Sequence, residues 1–230
     1  MVELVDTHDS GSCAKASEFE SRRGHQNLTV MRPENSAKPK MIEIVAGPNG
    51  SGKTTFAKAY LLKKHPTAVY LNPDLIAAGI APYDFEKASF HAGRVLIGEV
   101  KSMIAQSDSF AFESTLSGRT WLAVLNDAID QGYQVTIYFL YLDSVRKNLQ
   151  RIKRRVQLGG HPIPTDAIHR RHPRCFSNFW HLYRPLCSDW YVFDNSGKKP
   201  QSLQNKAEFE KLSEKQQHQF LQAFLEGEIP

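Results

Sequence analysis

The hydrophobic and polar positions of this 230-residue chain change character near residue 40. Residues 1–40 are rich in Ser, Glu, Arg, Lys and His and have almost no periodic apolar content, which predicts a disordered leader. Residues 1–24 also resemble the peptide produced when a transfer-RNA gene is translated. Met31 and Met41 are therefore alternative natural starts, and we assign no function to the leader.

From residue 41 onward, short apolar runs alternate with segments of helical periodicity. The predicted strands are 41–46, 67–72, 109–113, 134–142 and 190–194, and the predicted helices are 53–64, 85–106, 120–131, 144–157 and 166–181. The longest helix carries a core-facing stripe at helical spacing, formed by Phe85, Ala88, Ala92, Val95, Leu96, Val100, Met103 and Ile104. This alternation predicts an α/β fold with a parallel sheet covered on both faces.

The polar stretch after residue 196 predicts a linker that leads into one amphipathic packing helix. The apolar face of that helix would consist of Phe209, Leu212, Phe220, Leu221 and Phe224. The predicted organisation is thus a leader at 1–40, an α/β domain at 41–196, and a C-terminal linker and helix at 197–230.

Composition narrows the class of protein. The chain is 41% hydrophobic and 23% charged, a globular balance, and its net charge of +5 suits an anionic substrate but is weak evidence for nucleic acid. The three cysteines, Cys13, Cys175 and Cys187, lack metal-ligand spacing and suggest ordinary thiols in a reducing compartment. No apolar run reaches membrane-spanning length and no secretory signal is recognisable, so we expect a cytoplasmic protein without a membrane partner.

A glycine-rich segment follows the first predicted strand. Residues 47–54 read GPNGSGKT and match the phosphate-loop pattern G-x-x-x-x-G-K-[ST] between a strand and a helix. The glycines allow backbone N–H groups to turn inward, while Lys53 can reach the β- and γ-phosphates and the Thr54 hydroxyl can coordinate Mg²⁺. The predicted ATP-binding residues here are Gly47, Pro48, Asn49, Gly50, Ser51, Gly52, Lys53, Thr54 and Thr55. A turn that merely joins strand to helix is the alternative.

The phosphate loop alone does not define a reaction. The sequence GPNGSGKTT is typical of the phosphate loop of ABC-type ATPases, and TLSGRT at 115–120 resembles the start of their signature motif. However, the next Gly-Gln is missing, no run of four apolar residues precedes an Asp-Glu pair, and no base-reading motif of GTPases is present. A dedicated ATPase or a switch is therefore disfavoured, although a nucleotide-dependent regulatory module remains an alternative.

Polar residues follow two further predicted strands. Asp74, after the second strand, could accept the proton of an acceptor hydroxyl or hold a water of Mg²⁺, and Asn72 would support the same turn or contact substrate. Glu113, after the third strand, could bind Mg²⁺ through water or an acceptor hydroxyl, and Ser114 and Thr115 offer hydroxyl contacts to substrate. Helix capping is the alternative role for both clusters.

Cationic residues concentrate between residues 143 and 174. On the predicted helix 144–157, Val145, Leu149, Ile152 and Val156 would form the buried stripe, opposite Lys147, Arg151, Arg154 and Arg155. A Gly159-Gly160 hinge and a second cluster at 170–174 follow. We predict an Arg-rich lid at about 151–174 that closes over a triphosphate. A solvated helix face is one alternative, and a nucleic-acid groove, disfavoured because no aromatic platform is evident, is another.

Together these segments resemble the zeta-toxin family of phosphate-loop kinases. The resemblance covers about residues 41–196 and rests on AGPNGSGKTT, LNPDLIA, FESTLSG and RRVQLGGHPIPTDAIHRRHPR, the last being the most specific. It implies ATP- and Mg²⁺-dependent phosphorylation of a small molecule, with UDP-N-acetylglucosamine the substrate of the best-known members.

The resemblance also implies roles for single residues. Lys53 would bind the β- and γ-phosphates, Asp74 would be the general base, and Glu113 would assist substrate or metal binding. Arg155 and Arg171 would be lid arginines, and Asn195 in FDNSG would lie near the adenine. No antitoxin segment is recognisable in the chain, so a toxin would need a separate antitoxin protein.

The sequence therefore predicts a phosphate-loop kinase with a five-stranded parallel sheet in the order 2-3-1-4-5 and an Arg-rich helical lid. We expect transfer of phosphate from ATP to a small hydroxyl-bearing acceptor. Phosphorylation of nucleic-acid ends is the competing enzymatic hypothesis.

Overall fold

The computed structural model describes residues 39–64, 69–80, 85–160 and 162–227. The predicted leader lies outside these residues except for its last two, and so does His161 in the predicted lid turn. The strands are β1 (Met41–Ala46), β2 (Val69–Leu71), β3 (Phe110–Ser114), β4 (Gln134–Tyr141), β5 (Asp189–Asp194) and β6 (Gln201–Asn205).

Helices connect these strands and follow the last of them. They are α1 (Lys53–Phe56), α2 (Leu62–Lys64), α3 (Pro73–Ile80), α4 (Phe85–Gln106), α5 (Thr120–Asp130), α6 (Val145–Gln157), α7 (Thr165–Asn178), α8 (Lys206–Phe209) and α9 (Glu214–Glu226). A π-helical turn, Ala57–Leu61, joins α1 to α2, and another, Phe179–Tyr183, extends α7. The long helix α4 has the predicted bounds.

The sheet has the order β2-β3-β1-β4-β5-β6. Its first five strands are parallel and confirm the predicted order 2-3-1-4-5, whereas β6 runs antiparallel to β5. The sixth strand lies in the stretch that the sequence predicted to be a linker. Four of its five residues are polar, the exception being Leu203, and only Gln204 is buried, so no apolar alternation marked it as a strand. It pairs with and thereby covers the edge of β5.

Both faces of the parallel sheet are covered. On one face Ile42 and Ile44 join a large core with residues of α4, α5, α7 and α9. On the other, Val45 and Leu140 pack against α1 and the π-helical turn that follows it. Strands buried on both faces are almost continuously apolar, which explains why the sequence marked them clearly.

The helical stripes predicted for the core are largely confirmed. Buried positions on α4 are Ala88, Ala92, Leu96, Val100 and Ile104, while the side chain of Phe85 lies outside the described part of the chain. At the C-terminus, Phe209 and Phe224 are buried against Trp180, and Leu212, Phe220 and Leu221 pack around them. The prediction of one helix is wrong here, because Phe209 ends α8, Leu212 lies between the helices, and Phe220, Leu221 and Phe224 lie on α9. Both helices contribute to the core.

Within the described ranges, no helix combines the length and the apolar content that a bilayer crossing needs. Cys175 and Cys187 are free and buried, and burial raises the pKa of each thiol to about 12. Both are therefore protonated near neutral pH. Cys13 lies outside the described residues.

Candidate functional site

The phosphate loop connects the end of β1 to the start of α1. Gly52 has a φ of 89°, and a Cβ placed on it would lie 2.5 Å from Nδ2 of Asn195. Gly47 has a φ of 135°, and a Cβ there would collide with the carbonyl oxygen of Leu140. Both the backbone conformation and the close packing therefore require glycine at these two positions.

Lys53 lies in the first turn of α1 and folds back over the loop. Its Nζ donates hydrogen bonds to the carbonyl oxygens of Gly47 at 3.1 Å and Pro48 at 3.0 Å. These bonds hold the ammonium group above the backbone amides, where a bound phosphate would also lie.

A cavity of about 470 Å³ opens at the carboxyl edge of the sheet, beside the phosphate loop. Its walls are formed by Asn49, Gly50, Gly52, Lys53, Thr54, Thr55, Pro73, Asp74, Glu113, Ser114, Thr115, Arg151, Arg155, Asn195, Gly197 and Lys198. The predicted phosphate-loop, base, acceptor and adenine residues thus meet in one place. Parallel strands bring their carboxyl ends to the same edge, and ligand sites in open α/β sheets form there.

Five predicted site residues are absent from the described cavity wall: Gly47, Pro48, Ser51, Asn72 and Arg171. Gly47, Pro48 and Ser51 are buried within the turn of the phosphate loop. Asn72 is buried directly after β2 and bonds to neighbouring site residues. Arg171 is exposed on α7, so the cationic residues of the two predicted lid helices do not all face the cavity.

Glu113 is an almost fully buried carboxylate at the end of β3. Its Oε1 accepts hydrogen bonds from the Tyr70 hydroxyl at 2.5 Å and from Nδ2 of Asn72 at 2.8 Å. Burial and the neighbouring charge of Glu113 raise the pKa of Tyr70 well above its ordinary value, so this phenol remains a donor. The carboxylate is therefore held in one orientation.

Asp74 lies in the first turn of α3 and faces α6 across the cavity. Its Oδ2 accepts from Nη1 of Arg155 at 3.3 Å, and the two side chains are 49% and 38% exposed. Because solvent screens such a pair, the contact is weak and open to exchange for another anion.

Arg151 also faces the cavity, and the sequence did not mark it as a site residue. Its Nη2 donates to the carbonyl oxygen of Asn195 at 2.8 Å, while Nδ2 of Asn195 donates to the carbonyl oxygen of Ser51 at 2.6 Å. The loop after β5 is therefore fastened to both the phosphate loop and α6. The spacing of Arg151 one helical turn before Arg155 was the signal that could have identified it.

The buried stripe predicted for α6 is only partly correct. Ile152 is buried and Val145 and Leu149 are partly buried, but Val156 is 37% exposed. The position buried on the same face is instead Asn148, whose Nδ2 donates to the carbonyl oxygen of Asn49 at 2.6 Å.

The N-terminal half of α7 carries Arg171, while its C-terminal half is part of the core. Cys175 and Phe176 are buried, and Asn178 donates to the carbonyl oxygen of Leu116 at 2.9 Å. The charges of Lys53 and Arg171 both act to lower the pKa of the Cys175 thiol, against the larger effect of burial. Arg171 lies outside the described cavity wall.

The donors at the cavity suit a magnesium ion that is bound largely through a nucleotide. The Thr54 hydroxyl and the Glu113 carboxylate are brought together by Asn72, which bonds to both. Mg²⁺ prefers such hard oxygen ligands and is usually held by one or two protein groups together with substrate phosphates and water. Among the described residues there is no cluster of three or more His, Cys, Asp or Glu side chains that could hold a metal ion.

Solved structures with similar folds include toxins and kinases. The structure of the PezAT chromosomal toxin–antitoxin system of Streptococcus pneumoniae superimposes with a TM-score of 0.58 at 15% identity, covering 85% of this chain and 90% of that one. The complex of AvrRxo1-ORF1 and -ORF2 with ATP gives 0.62 at 16% identity, covering 83% and 65%. A putative kinase from Chloroflexus aurantiacus gives 0.52 at 14% identity, covering 83% and 98%. At these identities the likeness shows the fold alone.

Sequence comparison is more specific. An uncharacterized protein of Haemophilus influenzae is 35% identical over 126 residues, which cover 55% of this chain and 88% of that protein. The zeta toxin family profile matches residues 26–198, a range that contains the phosphate loop, Asp74, Glu113 and Asn195. With the fold and the cavity in agreement, this chain belongs to the zeta toxin family.

Proposed function

We propose that this protein is an ATP-dependent kinase that phosphorylates a hydroxyl group of a small molecule, with UDP-N-acetylglucosamine as the first candidate acceptor. The observation that carries the proposal is the convergence of Lys53, Asp74 and Arg155 on the cavity beside the phosphate loop. A cradle for the donor, a carboxylate base and a mobile cation are the parts that phosphoryl transfer requires.

The phosphate loop would hold the donor end of the reaction. Its backbone amides and Lys53 would bind the β- and γ-phosphates, and Asn195 with the loop after it would lie near the nucleoside. Thr54 and, through water, Glu113 would hold Mg²⁺, which when bound neutralises charge on the phosphates. Glu113, Ser114 and Thr115 would also contact the acceptor.

Asp74 would act as the general base. It would take the proton of the acceptor hydroxyl as that oxygen forms a bond to the γ-phosphorus, while the bond to the bridging β–γ oxygen breaks and ADP departs. Lys53 and Arg155 would stabilise the charge on the transferred group and on the departing phosphate. Arg171 would join them only if the N-terminal half of α7 moves toward the cavity.

The ion pair between Arg155 and Asp74 supports an order of events. Before the triphosphate binds, Arg155 neutralises the base. A triphosphate carries more negative charge than Asp74, so we expect Arg155 to exchange the carboxylate for phosphate oxygens. The base would then be released where the acceptor hydroxyl lies.

The proposal extends to a protein partner. The pneumococcal structure belongs to a chromosomal toxin–antitoxin system, and we propose that a separate antitoxin protein likewise neutralises this chain. Co-expression with products of neighbouring reading frames, followed by growth measurement and co-purification, tests this extension.

The activity is tested with γ-labelled ATP, Mg²⁺ and a panel of UDP-sugars, nucleosides and oligonucleotides. We expect label in a UDP-sugar, first in UDP-N-acetylglucosamine, and none with a Lys53→Ala variant. Label at an oligonucleotide end would identify a polynucleotide kinase instead. Nucleotide binding without transfer to any acceptor would identify a regulatory module and overturn the proposal.

A further inference from the structure

The side chain of Asn72 lies beneath the cavity and contacts three groups of the site. It is 4% exposed and does not belong to the described cavity wall. Its Oδ1 accepts from the backbone N–H groups of Asp74 at 2.8 Å and Leu75 at 3.2 Å. Because two N–H donors require an oxygen on that side, the amide NH₂ must face the other way.

The NH₂ group of Asn72 is directed at two side chains. Its Nδ2 donates to Oε1 of Glu113 at 2.8 Å and approaches Oγ1 of Thr54 at 3.3 Å. Since Tyr70 donates to the same Oε1, that oxygen of Glu113 is fully engaged and the carboxylate cannot rotate freely. Its other oxygen, Oε2, is left to meet a ligand in the cavity.

The side-chain oxygen of Asn72, at the opposite end of the amide, fixes the position of Asp74. Asn72 precedes Pro73, the first residue of α3, and its side-chain oxygen caps the first turn of that helix. The backbone N–H of Asp74 is itself one of the groups that this oxygen caps. A single hydrogen bond therefore ties the backbone of the proposed base to the side chain of Asn72. A single buried amide thus links Thr54, Glu113 and Asp74, which lie on α1, β3 and α3.

We propose that Asn72 is a positioning residue, which sets the distance between the general base and the pair of oxygen ligands expected to hold Mg²⁺, and does not contact substrate. This inference rests on the proposed function for its catalytic consequence but not for its structural one. It replaces the substrate-binding role that the sequence suggested for Asn72.

The Asn72→Asp variant separates positioning from capping. Aspartate keeps the oxygen that caps α3 and is as good a cap as asparagine. It replaces the NH₂ with a second oxygen, which would face the carboxylate of Glu113. If Asn72 were only a cap, this variant would melt at the wild-type temperature or above. If it positions Glu113, the variant should melt lower by about 5 °C, because a buried hydrogen bond is replaced by repulsion.

A second substitution tests the contact directly. Adding Glu113→Gln to Asn72→Asp gives position 113 an NH₂ that can donate to the new carboxylate, with Tyr70 accepting from its second hydrogen. The double variant should therefore regain most of the lost melting temperature. The matched control is Asn205→Asp, because Asn205 caps α8 in the same way through the N–H of Glu208 at 3.0 Å but lies outside the cavity wall.

Enzyme kinetics test the catalytic consequence of the positioning role. With γ-labelled ATP and UDP-N-acetylglucosamine, Asn72→Asp should lower kcat by about a hundredfold, as misplacement of reacting groups can do. The KM for ATP should change less than kcat, because Asn72 contacts the phosphate loop at the Thr54 hydroxyl, whereas Lys53 is held by the carbonyl oxygens of Gly47 and Pro48. Asn205→Asp should leave both unchanged.

The experiments distinguish a failure of the proposed function from a failure of the positioning role of Asn72. If the wild-type protein labels no acceptor, the proposed function fails, but the melting temperatures still decide whether Asn72 positions Glu113. The positioning role is overturned if Asn72→Asp melts like the wild type, or if Glu113→Gln does not restore the loss. A raised KM for UDP-N-acetylglucosamine with unchanged kcat would instead support direct contact between Asn72 and the acceptor.

Discussion

The proposed role of Asp74 places two conflicting electrostatic requirements on its carboxylate. To act as the proposed base, Asp74 would have to be charged, yet a free carboxylate beside the phosphate loop would repel an incoming triphosphate. The contact with Arg155 at 3.3 Å would resolve this conflict, since under the proposal it masks the carboxylate until a more highly charged anion binds. The half-exposed state of both side chains allows that exchange.

The role of Asp74 is tested by Asp74→Asn. The amide retains the size of the carboxylate but cannot take a proton, so kcat for phosphoryl transfer should fall by about 10²- to 10⁴-fold, the usual contribution of a general base. ATP should bind at least as tightly as in the wild type, because a negative charge is removed. Isothermal titration with ATP and the labelled-transfer assay give the two quantities. Unchanged transfer would exclude Asp74 as the base.

Glycine 52 shows how closely the phosphate loop is packed. Its φ of 89° is costly for any other residue, and an added Cβ would displace the amide of Asn195. That amide holds the carbonyl oxygen of Ser51, so the whole turn depends on this contact.

The Gly52→Ala variant should bind ATP at least about tenfold more weakly and lose about 1–3 kcal/mol of unfolding free energy through backbone strain. Gly98→Ala is the matched control, because Gly98 lies in α4 with no atom within 4 Å of an added Cβ. Alanine there should raise stability by about 0.5–1 kcal/mol and leave binding unchanged. Urea unfolding and titration with ATP measure both effects. Wild-type ATP affinity in Gly52→Ala would contradict the packing argument.

At the scale of secondary-structure elements, the strands and helices with a periodic apolar pattern were predicted from the sequence. The elements that form through contacts with other parts of the fold were missed. The apolar strands and the amphipathic α4 followed from periodicity. Helix α3 was missed because it has only eight residues and begins at a proline after a capping asparagine. Strand β6 was missed because a polar edge strand owes its existence to its partner β5.

The same distinction applies to the site. Phosphate-loop residues, Asp74 and Glu113 could be placed at this edge because each lies at or just after the end of a predicted strand, and the carboxyl ends of parallel strands share an edge. The contributions of Arg151, Asn148 and Asn72 depend on which face of α6 turns toward the loop and on the direction of one amide. No local pattern carries that information, since it arises only when the elements pack.

Helix α6 is held against the phosphate loop by Asn148. This side chain is fully buried and donates to the carbonyl oxygen of Asn49, while a Cβ on Gly50 would lie 2.9 Å from the carbonyl oxygen of Asn148. These two contacts fix the position of the helix that supplies Arg151 and Arg155 relative to the phosphate loop.

Replacing Asn148 with Ala should remove this attachment. We expect a loss of about 1–3 kcal/mol in unfolding free energy, because the Asn49 carbonyl loses its partner. ATP affinity should fall as well, since both the loop and the two arginines become less well placed. Asn126→Ala on the exposed face of α5 is the control and should change neither quantity. Tight ATP binding in a destabilised Asn148→Ala protein would show that α6 does not position the loop.

At the scale of the whole molecule, α7 packs against the C-terminal core. His172 lies on this helix with its ring centroid 4.9 Å from that of Phe176, which in turn packs against Phe224 of α9. Burial, with a smaller contribution from His169, lowers the pKa of His172 to about 4. A histidine that stays neutral in the fold but takes up a proton when unfolded couples the stability of this core to pH.

The sign of this coupling follows from the two pKa values. The unfolded chain binds the proton near pH 6.5 and the folded protein only near pH 4, so the stabilisation from neutral His172 is complete above pH 6.5 and is lost as the pH falls toward 4. The slope of the unfolding free energy against pH should stay below about 1.4 kcal/mol per pH unit, the limit for one proton, because the ring is partly exposed.

A His172→Phe variant keeps an aromatic contact with Phe176 and removes the titrating group. Urea unfolding between pH 4.5 and 7.5 should therefore show that the stability of the variant falls less steeply than that of the wild type, with the two curves diverging below about pH 6.5. Parallel curves would mean that His172 takes up its proton equally in the folded and unfolded protein, and that water reaches the ring between α7 and the C-terminal core.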